Sequence, residues 1–459
     1  MIAGRGGKWS RSGSGDPGSS EGFSRRQVLS ASLVGAGAVL LGSSLTGCAP
    51  AATGDSKGST TVRIWDLFQG ADGAKMQNMQ AAAMKANTDV NVESVTLAWG
   101  SAYYTKLAMA SSSGRPPEAA VMHLSRLAGY APGGLLEPFD LDELAKVGIR
   151  KEDFAPAVWE AATYKGELFA LPMDTHPFIT FYDPKYAKKA GLLGSDGKMA
   201  PIEGADAFLD AGRKLADATG KQGMSFGYLM DTAQSWRLFW GLYNQTGAGF
   251  ELTPGKRAQL DEGKAKEVIE FIQATLDGKI ALSNQDYNGG VANFVSGRSA
   301  MILSGEWELP AYQDAIPDLG AMPFPNIFGT PANYADSHSF VLPKQAHPDP
   351  ARREATYRIL AHLVKSGSLN WANAGHIPAY RPVQDKPAYQ KLSPQSDYAA
   401  AGDIVTLDPP VWFAGAGSDF QARVCDAMSD AFQGKKSASS AVSGMLKQMD
   451  RLLSTPNPA

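Results

Sequence analysis

Val62-Arg63-Ile64-Trp65 alternates apolar and polar residues; a turn containing Gly and Asp follows, and then Met76, Met79, Gln80 and Ala83 recur at helical spacing. A period of two giving way to a period of 3.6 reads as strand, turn and helix, with the helix ending near Asn87. The unit then repeats. Residues 90–97 alternate again, 103–110 read as a helix, 119–123 as a short apolar strand, and a further helix opens over 125–130. Strands alternating with helices predict an α/β fold built on a largely parallel sheet with crossover helices. In such sheets ligands lie beyond the carboxyl ends of the strands, which singles out the loops at 66–70, 123–126 and 173–176.

A second α/β stretch begins near Pro177. Phe208, Leu209, Leu215 and Ala216 mark one amphipathic helix, and Val268, Ile269, Ile272 and Leu276 another. Residues 300–303 and 340–342 read as strands, 350–363 as a helix, and 420–453 as apolar helical pattern; no internal repeat is visible. The chain has 459 residues. With its first part set aside as an export signal, roughly 400 remain, more than one ordinary core accommodates, so two lobes are expected. A hydrophobic content of 44% suffices for burial, and 28 prolines with 49 glycines fit a loop-rich α/β protein rather than a fibre. The formal charge is −3; residues 1–47 carry five basic and two acidic groups, which leaves the remainder at −6. That sign is wrong for a general nucleic-acid binder.

The N-terminus reads as an address. Residues 1–23 are rich in Gly, Ser and Arg, and Ser24-Arg25-Arg26-Gln27-Val28-Leu29 resembles a twin-arginine export signal, although Val28 stands where Phe is commoner. The uncharged run 28–45 holds seven Gly or Ser residues, a poor permanent membrane span and a reasonable export segment; the twin-arginine and general secretory routes both stay open. The run ends in Leu45-Thr46-Gly47-Cys48, similar to a bacterial lipobox, with Cys48 as the lipidated residue. Two acyl chains, at about 0.8 kcal/mol per buried CH₂, would anchor the protein stably to the outer face of the cytoplasmic membrane. Cys425 then has no partner, so neither a disulfide framework nor a CxxC site is available. The GxGxxG spacing at 13–18 and the GxSxG spacing at 18–22 lie in the segment expected to be removed, outside any strand–turn–helix, and are chance matches.

Several landmarks beyond residue 60 resemble the family 1 extracellular solute-binding proteins, the group that includes maltose- and glycerol-phosphate-binding proteins. They are Gly114-Arg115-Pro116-Pro117-Glu118, Tyr164-Lys165-Gly166-Glu167-Leu168-Phe169-Ala170-Leu171-Pro172, Phe181-Tyr182-Asp183, the run 294–301 with Ser304-Gly305-Glu306-Trp307, and Gly375-His376-Ile377-Pro378-Ala379. They stand in the family's order, with Glu118 where Asp is usual. The resemblance implies a two-lobed periplasmic-binding-protein-like fold with its ligand cleft between lobes joined by hinge strands, crossed near 173, 337 and 376. The chain divides accordingly into an export signal (1–47), a lipidated cysteine with flexible tether (48–60), an N-terminal lobe (61–173 with 337–375) and a C-terminal lobe (174–336 with 376–459). It further implies a monomeric binder, not an enzyme, that delivers a small solute to an ABC permease and its ATPase. No GxxxxGK[ST] loop occurs, so the ATPase must be a separate chain.

A sugar ligand needs aromatic rings against its C–H faces and polar groups around its hydroxyl rim. By resemblance Trp307 is the first candidate for stacking, Trp236 the second, and Trp412 with Phe413 form a loop able to close over the cleft. Asp66, His123, Ser125, Arg126, Asp174 and His176 are the polar candidates, Asp66 just past the first strand and Asp174 with His176 at the first crossing. A core role for the tryptophans, a surface role for Arg126 and plain hydrogen bonding for the histidines are the competing structural readings. The six histidines show no i,i+4 pair and no HExxH, so no metal site is expected, and no cofactor. A phosphorylated polyol is the alternative ligand, with Arg126 and Arg237 as its cations, and a secreted glycan-cleaving enzyme the alternative class, although no acid–base pair is recognisable.

Overall fold

The computed structural model describes residues 59–456. The predicted export signal and lipobox, Cys48 included, lie outside the described residues. The first strand, Thr60–Asp66, buries alternate side chains, as its alternating sequence requires. It runs parallel to Val90–Thr96 on one side and to Ala119–His123 on the other. The helices Gly70–Ala86 and Ser101–Ser112 connect these strands. Beyond Ala119–His123 lies His338–Pro343, antiparallel, which also pairs with Ala170–Pro172 and Leu136–Glu137.

The second sheet is organised by Asp174–Tyr182, all nine of whose residues are buried. Four strands pair with it in the antiparallel sense: Ser299–Gly305, Gly320–Pro323, Asn333–Asp336 and Ile377–Pro378. Gln222–Ser225 extends the sheet parallel to Ser299–Gly305, and Val405–Thr406 extends it parallel to Asn333–Asp336.

The chain thus folds as two α/β lobes, each with its own apolar core. One core gathers residues such as Val62, Ile64, Leu107, Val121, Phe340 and Leu360; the other gathers Phe208, Leu215, Phe239, Ile269, Val424 and Met445. In each sheet the strands share one direction, as strand–helix alternation predicts, except for one reversed strand: His338–Pro343 in the first and Asp174–Tyr182 in the second. A strand entering one sheet directly from the other, through a single residue, has no crossover helix to turn it round, so it runs against its neighbours. Met173 is such a joint between Ala170–Pro172 and Asp174–Tyr182, and Ser337 another between Asn333–Asp336 and His338–Pro343. The joints bond to each other: Met173 N donates to His338 O at 2.8 Å, and Ala379 N donates to Met173 O at 3.1 Å.

Two smaller expectations change as well. The helix opening at 125–130 is a 3₁₀ segment, Leu124–Gly129, followed by Tyr130-Ala131-Pro132-Gly133-Gly134, whose proline and glycines prevent continuation. The pattern over 420–453 is two helices, Asp419–Phe432 and Ala438–Leu453, parted at Gly434 with φ 71°. No helix among the described residues is long and apolar enough to cross a membrane.

Candidate ligand cleft

A cavity of about 460 Å³ opens between the two sheets at the ends of their crossing strands. The first lobe contributes Phe68, Asp72, Trp99 and His123; the second contributes Asp231, Arg237, Tyr287, Trp307 and Glu308. His176 and His338, each just past a joint, line its floor. Phe68 and Asp72 follow the carboxyl end of Thr60–Asp66, Trp99 follows that of Val90–Thr96, and His123 closes Ala119–His123. The strand-end rule therefore places this wall of the site.

Trp307 sits on Gly305. A side chain at 305 would fall inside the indole's carbon atoms Cη2, Cζ3 and Cε3, so only glycine lets the ring lie there. Trp307 Nε1 donates to Tyr287 Oη at 2.8 Å, and Tyr287 Oη donates to Glu308 Oε1 at 2.6 Å. The chain of bonds fixes ring orientation without using its faces. The Arg237 guanidinium lies over the ring, 4.7 Å from its centroid. Arg237 Nη1 donates to Gln234 Oε1 at 2.8 Å, while its Nε is buried without a partner. Burial raises the Glu308 carboxyl, and the Tyr287 bond opposes that rise.

Beneath the floor, strand register assembles a polar cluster. His123 pairs with His338, Asp336 with His176, and Pro378 with Asp174. Asp174, fully buried, accepts from His338 N (2.7 Å), His176 Nδ1 (3.1 Å), His338 Nδ1 (2.7 Å) and Trp371 Nε1 (2.6 Å). Burial would raise its carboxyl, but His338 and His176 hold it well below the usual range. His176 falls to about 3, lowered first by burial and then by His338. His123 is lowered in the same way, and its Nδ1 meets Tyr104 Oη at 2.7 Å. His376 is the opposite case. Burial alone would lower it, but Asp72, Glu306 and Asp174 raise it well above the ordinary histidine value. Glu306, fully buried beside it, is pushed up to about 8 by burial. The structure thus overturns the view of scattered histidines: four of the six, His123, His176, His338 and His376, lie in ring contact, at centroid distances from 4.1 to 6.3 Å.

The ten residues nominated from sequence go to six different places. His123, His176 and Trp307 face the cleft together. Asp174 lies behind them as the buried acceptor. Asp66 is buried away from the cavity, accepting from Phe68 N and Ser94 Oγ and so pinning the turn after the first strand. Trp236 is in the second core, stacked on Trp240 at 5.0 Å with its Nε1 bonded to Asp408. Helical phase explains this: 236, 239, 240 and 243 form the core stripe, and Arg237 turns toward the cleft. Ser125 is bonded to Asp336 and receives Ala416 N at 3.0 Å. Arg126, Trp412 and Phe413 line a separate, wider cavity of about 1190 Å³ with Tyr104 and Arg423. Arg126 stacks on Tyr104 and donates to Ala414 O at 3.2 Å, which ties the loop after Pro410 to the first lobe.

Asp72, Trp99, Asp231, Tyr287, Glu308 and His338 were missed, and Phe68 was covered only as part of the loop 66–70. The strand-end rule, applied to Val90–Thr96, signals Trp99; nothing local signals Tyr287, which lines the cleft and bonds both Trp307 and Glu308.

The family described as bacterial extracellular solute-binding protein matches residues 79–394. The maltotriose-binding protein of Pyrococcus abyssi is 25% identical over 278 residues, which are 59% of this chain and 54% of that protein. The chain thus spans about half the length of this curated relative. Among solved structures, the GacH receptor of Streptomyces glaucescens GLA.O, studied unliganded and with acarbose, superposes with a TM-score of 0.70 at 19% identity, covering 86% of this chain and 98% of that one. The cyclic alpha-maltosyl-1,6-maltose binding protein of Arthrobacter globiformis gives 0.69 at 18%, over 86% and 100%. A solute-binding protein of Thermotoga lettingae TMO bound with alpha-D-tagatose gives 0.70 at 19%, over 86% and 100%. At these identities the structures establish a shared fold.

Proposed function

The chain belongs to the bacterial extracellular solute-binding proteins, and from that premise we propose that it captures a carbohydrate of the maltodextrin type and delivers it to an ABC importer. The family is one of binders, not of enzymes. The observation that carries the sugar is the cleft's composition. Aromatic rings from both lobes (Phe68 and Trp99 from one, Tyr287 and Trp307 from the other) face the same space as the carboxylates Asp72, Asp231 and Glu308. Rings cover the C–H faces of a pyranose, and carboxylates accept from its hydroxyls. A cavity of this size is in the range that holds a small ligand. The relatives bind maltotriose, acarbose, a cyclic maltosyl-maltose and tagatose, all carbohydrates or their analogues.

In this reading the lobes are 61–173 with 337–375 and 174–336 with 376–459, hinged at Met173, Ser337 and His376, and the ligand draws them together. The protein acts as a monomer, held at the outer face of the cytoplasmic membrane by lipid on Cys48, and hands its cargo to a separate permease driven by an ATPase. A phosphorylated polyol is the second reading, favoured by Arg237, whose buried Nε is unpartnered.

The test is a ligand panel of maltose, maltotriose, tagatose and glycerol phosphate, read by thermal shift, titration calorimetry and small-angle scattering. At least one sugar is expected to raise Tm, because it binds only the native state, and to make the protein more compact. A panel in which glycerol phosphate alone stabilises the chain overturns the sugar assignment in favour of the second reading.

A further inference from the structure

The geometry points to a divalent transition-metal site held by Asp174, His176, His338 and His376. One ligand atom from each lies within 4.8 Å of all the others, and all four residues are buried. A tetrahedral site with bonds of about 2.1 Å keeps its ligands roughly 3.4 Å apart. The separations here bracket that spacing, from 2.7 Å between His338 Nδ1 and Asp174 Oδ2 to 3.4 Å between His376 Nδ1 and Asp174 Oδ2 and up to that outer limit. Small side-chain rotations would close the set around an ion. Imidazole and carboxylate ligands suit Zn²⁺ and its neighbours rather than Ca²⁺ or Mg²⁺.

A second, independent observation calls for a cation. His376 and Glu306 are each 0% exposed, yet neither ring nitrogen of His376 and neither carboxylate oxygen of Glu306 has a hydrogen bond of acceptable geometry. Four buried polar atoms left this way are costly. Asp72 Oδ2, 3.3 Å from His376 Nε2, and Glu306 Oε1, 2.9 Å from His376 Nδ1, add further negative charge around the same ring. The supporting shell is already built. Trp371 stacks on His376 at 4.3 Å and 9° and bonds Asp174, and His338 N holds the other carboxylate oxygen. Gly375, at φ 116°, lets the third crossing segment pass against the Glu306 backbone, where a side chain would collide.

The ligands are also distributed in a telling way. Asp174 and His176 follow the joint at Met173, His338 follows the joint at Ser337, and His376 opens the third passage into the second sheet. One ion would therefore staple all three connections between the lobes. Two of its ligands, His176 and His338, form the cleft floor, while Asp174 and His376 lie behind it, and the set does not depend on which solute the cleft takes.

The experiment uses the full chain, purified without a polyhistidine tag, stripped with a chelator and titrated with Zn²⁺ alone against a chromophoric competitor. The expected result is one ion per chain with Kd below about 1 µM, a rise in Tm reversed by chelation, and visible absorption bands when Co²⁺ replaces Zn²⁺. His176→Gln and His376→Gln should each weaken binding by on the order of 100-fold or more, the upper effect of losing even a supporting residue. His176→Gln lies at the cleft floor and keeps the test open if His376→Gln fails to fold, and circular dichroism checks both. His347→Gln and His362→Gln, outside the cluster, should change nothing. Wild-type binding no tighter than about 1 µM, or tight binding that survives in a folded His176→Gln or His376→Gln variant, would overturn the assignment.

Discussion

Gly305→Ala moves the Trp307 ring without removing it. The backbone at 305 is extended, with φ −78° and ψ 159°, so alanine is tolerated by the chain itself. The whole effect comes from the added methyl, which would lie inside the indole carbons. To regain ordinary carbon contact of about 3.5–4.0 Å the ring must retreat by roughly 1.5 Å. That retreat breaks the Trp307–Tyr287 hydrogen bond and disturbs the Arg237 stack, worth about 1 kcal/mol each. Overpacking adds about 1–3 kcal/mol of destabilisation, so Tm should fall by a few degrees. If the indole face carries the sugar, losing about 1.5–3 kcal/mol of stacking and apolar contact weakens binding roughly ten- to hundredfold. Titration calorimetry with the best ligand of the panel measures this, and Trp307→Ala should give the same loss with an intact circular dichroism spectrum. Wild-type affinity in a folded Gly305→Ala variant would refute the reasoning. The ring would then be packing alone, and the stacking role would pass to Trp99 or Tyr287.

Trp236→Phe leaves Asp408 without its indole donor in a buried setting and should cost about 1–3 kcal/mol. Urea denaturation should show the loss while solute affinity stays unchanged, and a weakened affinity would return Trp236 to the site. Burial, with Asp336 nearby, pushes the Asp408 carboxyl up to about 7, far above its value in an unfolded chain. The folded state then binds more protons than the unfolded state between about pH 4 and 7, so this group's stabilising contribution is lost as pH rises through that window. Urea midpoints should decline from pH 5 to pH 8 less steeply in Asp408→Asn than in the parent, and equal slopes would contradict the shift. Cys48→Ala should yield an uncleaved or released precursor on membrane fractionation, whereas an anchored, processed variant would refute lipidation at that residue.

Strands, helices and their ends were legible because they rest on local periodicity and on residues within a few positions of one another. Thr60–Asp66, Gly70–Ala86, Ser299–Gly305 and Pro350–Lys365 fall where alternation and helical spacing place them. The landmarks from Gly114 to Ala379, read together, were enough to indicate the two-lobed fold, and Gly305-Glu306-Trp307 carried its own geometry, since the glycine and the ring are neighbours in the chain. The reversed sense of Asp174–Tyr182 and His338–Pro343 was not legible, because it depends on a chain that leaves one sheet and enters the other through the single residues Met173 and Ser337. Nor was the division between Trp236 and Arg237, where one step of helical phase decides which side chain meets the core and which meets the cleft. Arg126, Trp412 and Phe413 were gathered into a different cavity by the packing of the loop after Pro410 on the first lobe. The histidine cluster marks the limit most sharply. His123 and His338 are more than two hundred residues apart, and no spacing rule joins them. The register of two antiparallel strands sets them opposite each other, and the registers of Asp174–Tyr182 with Asn333–Asp336 and Ile377–Pro378 bring Asp174, His176 and His376 to the same point.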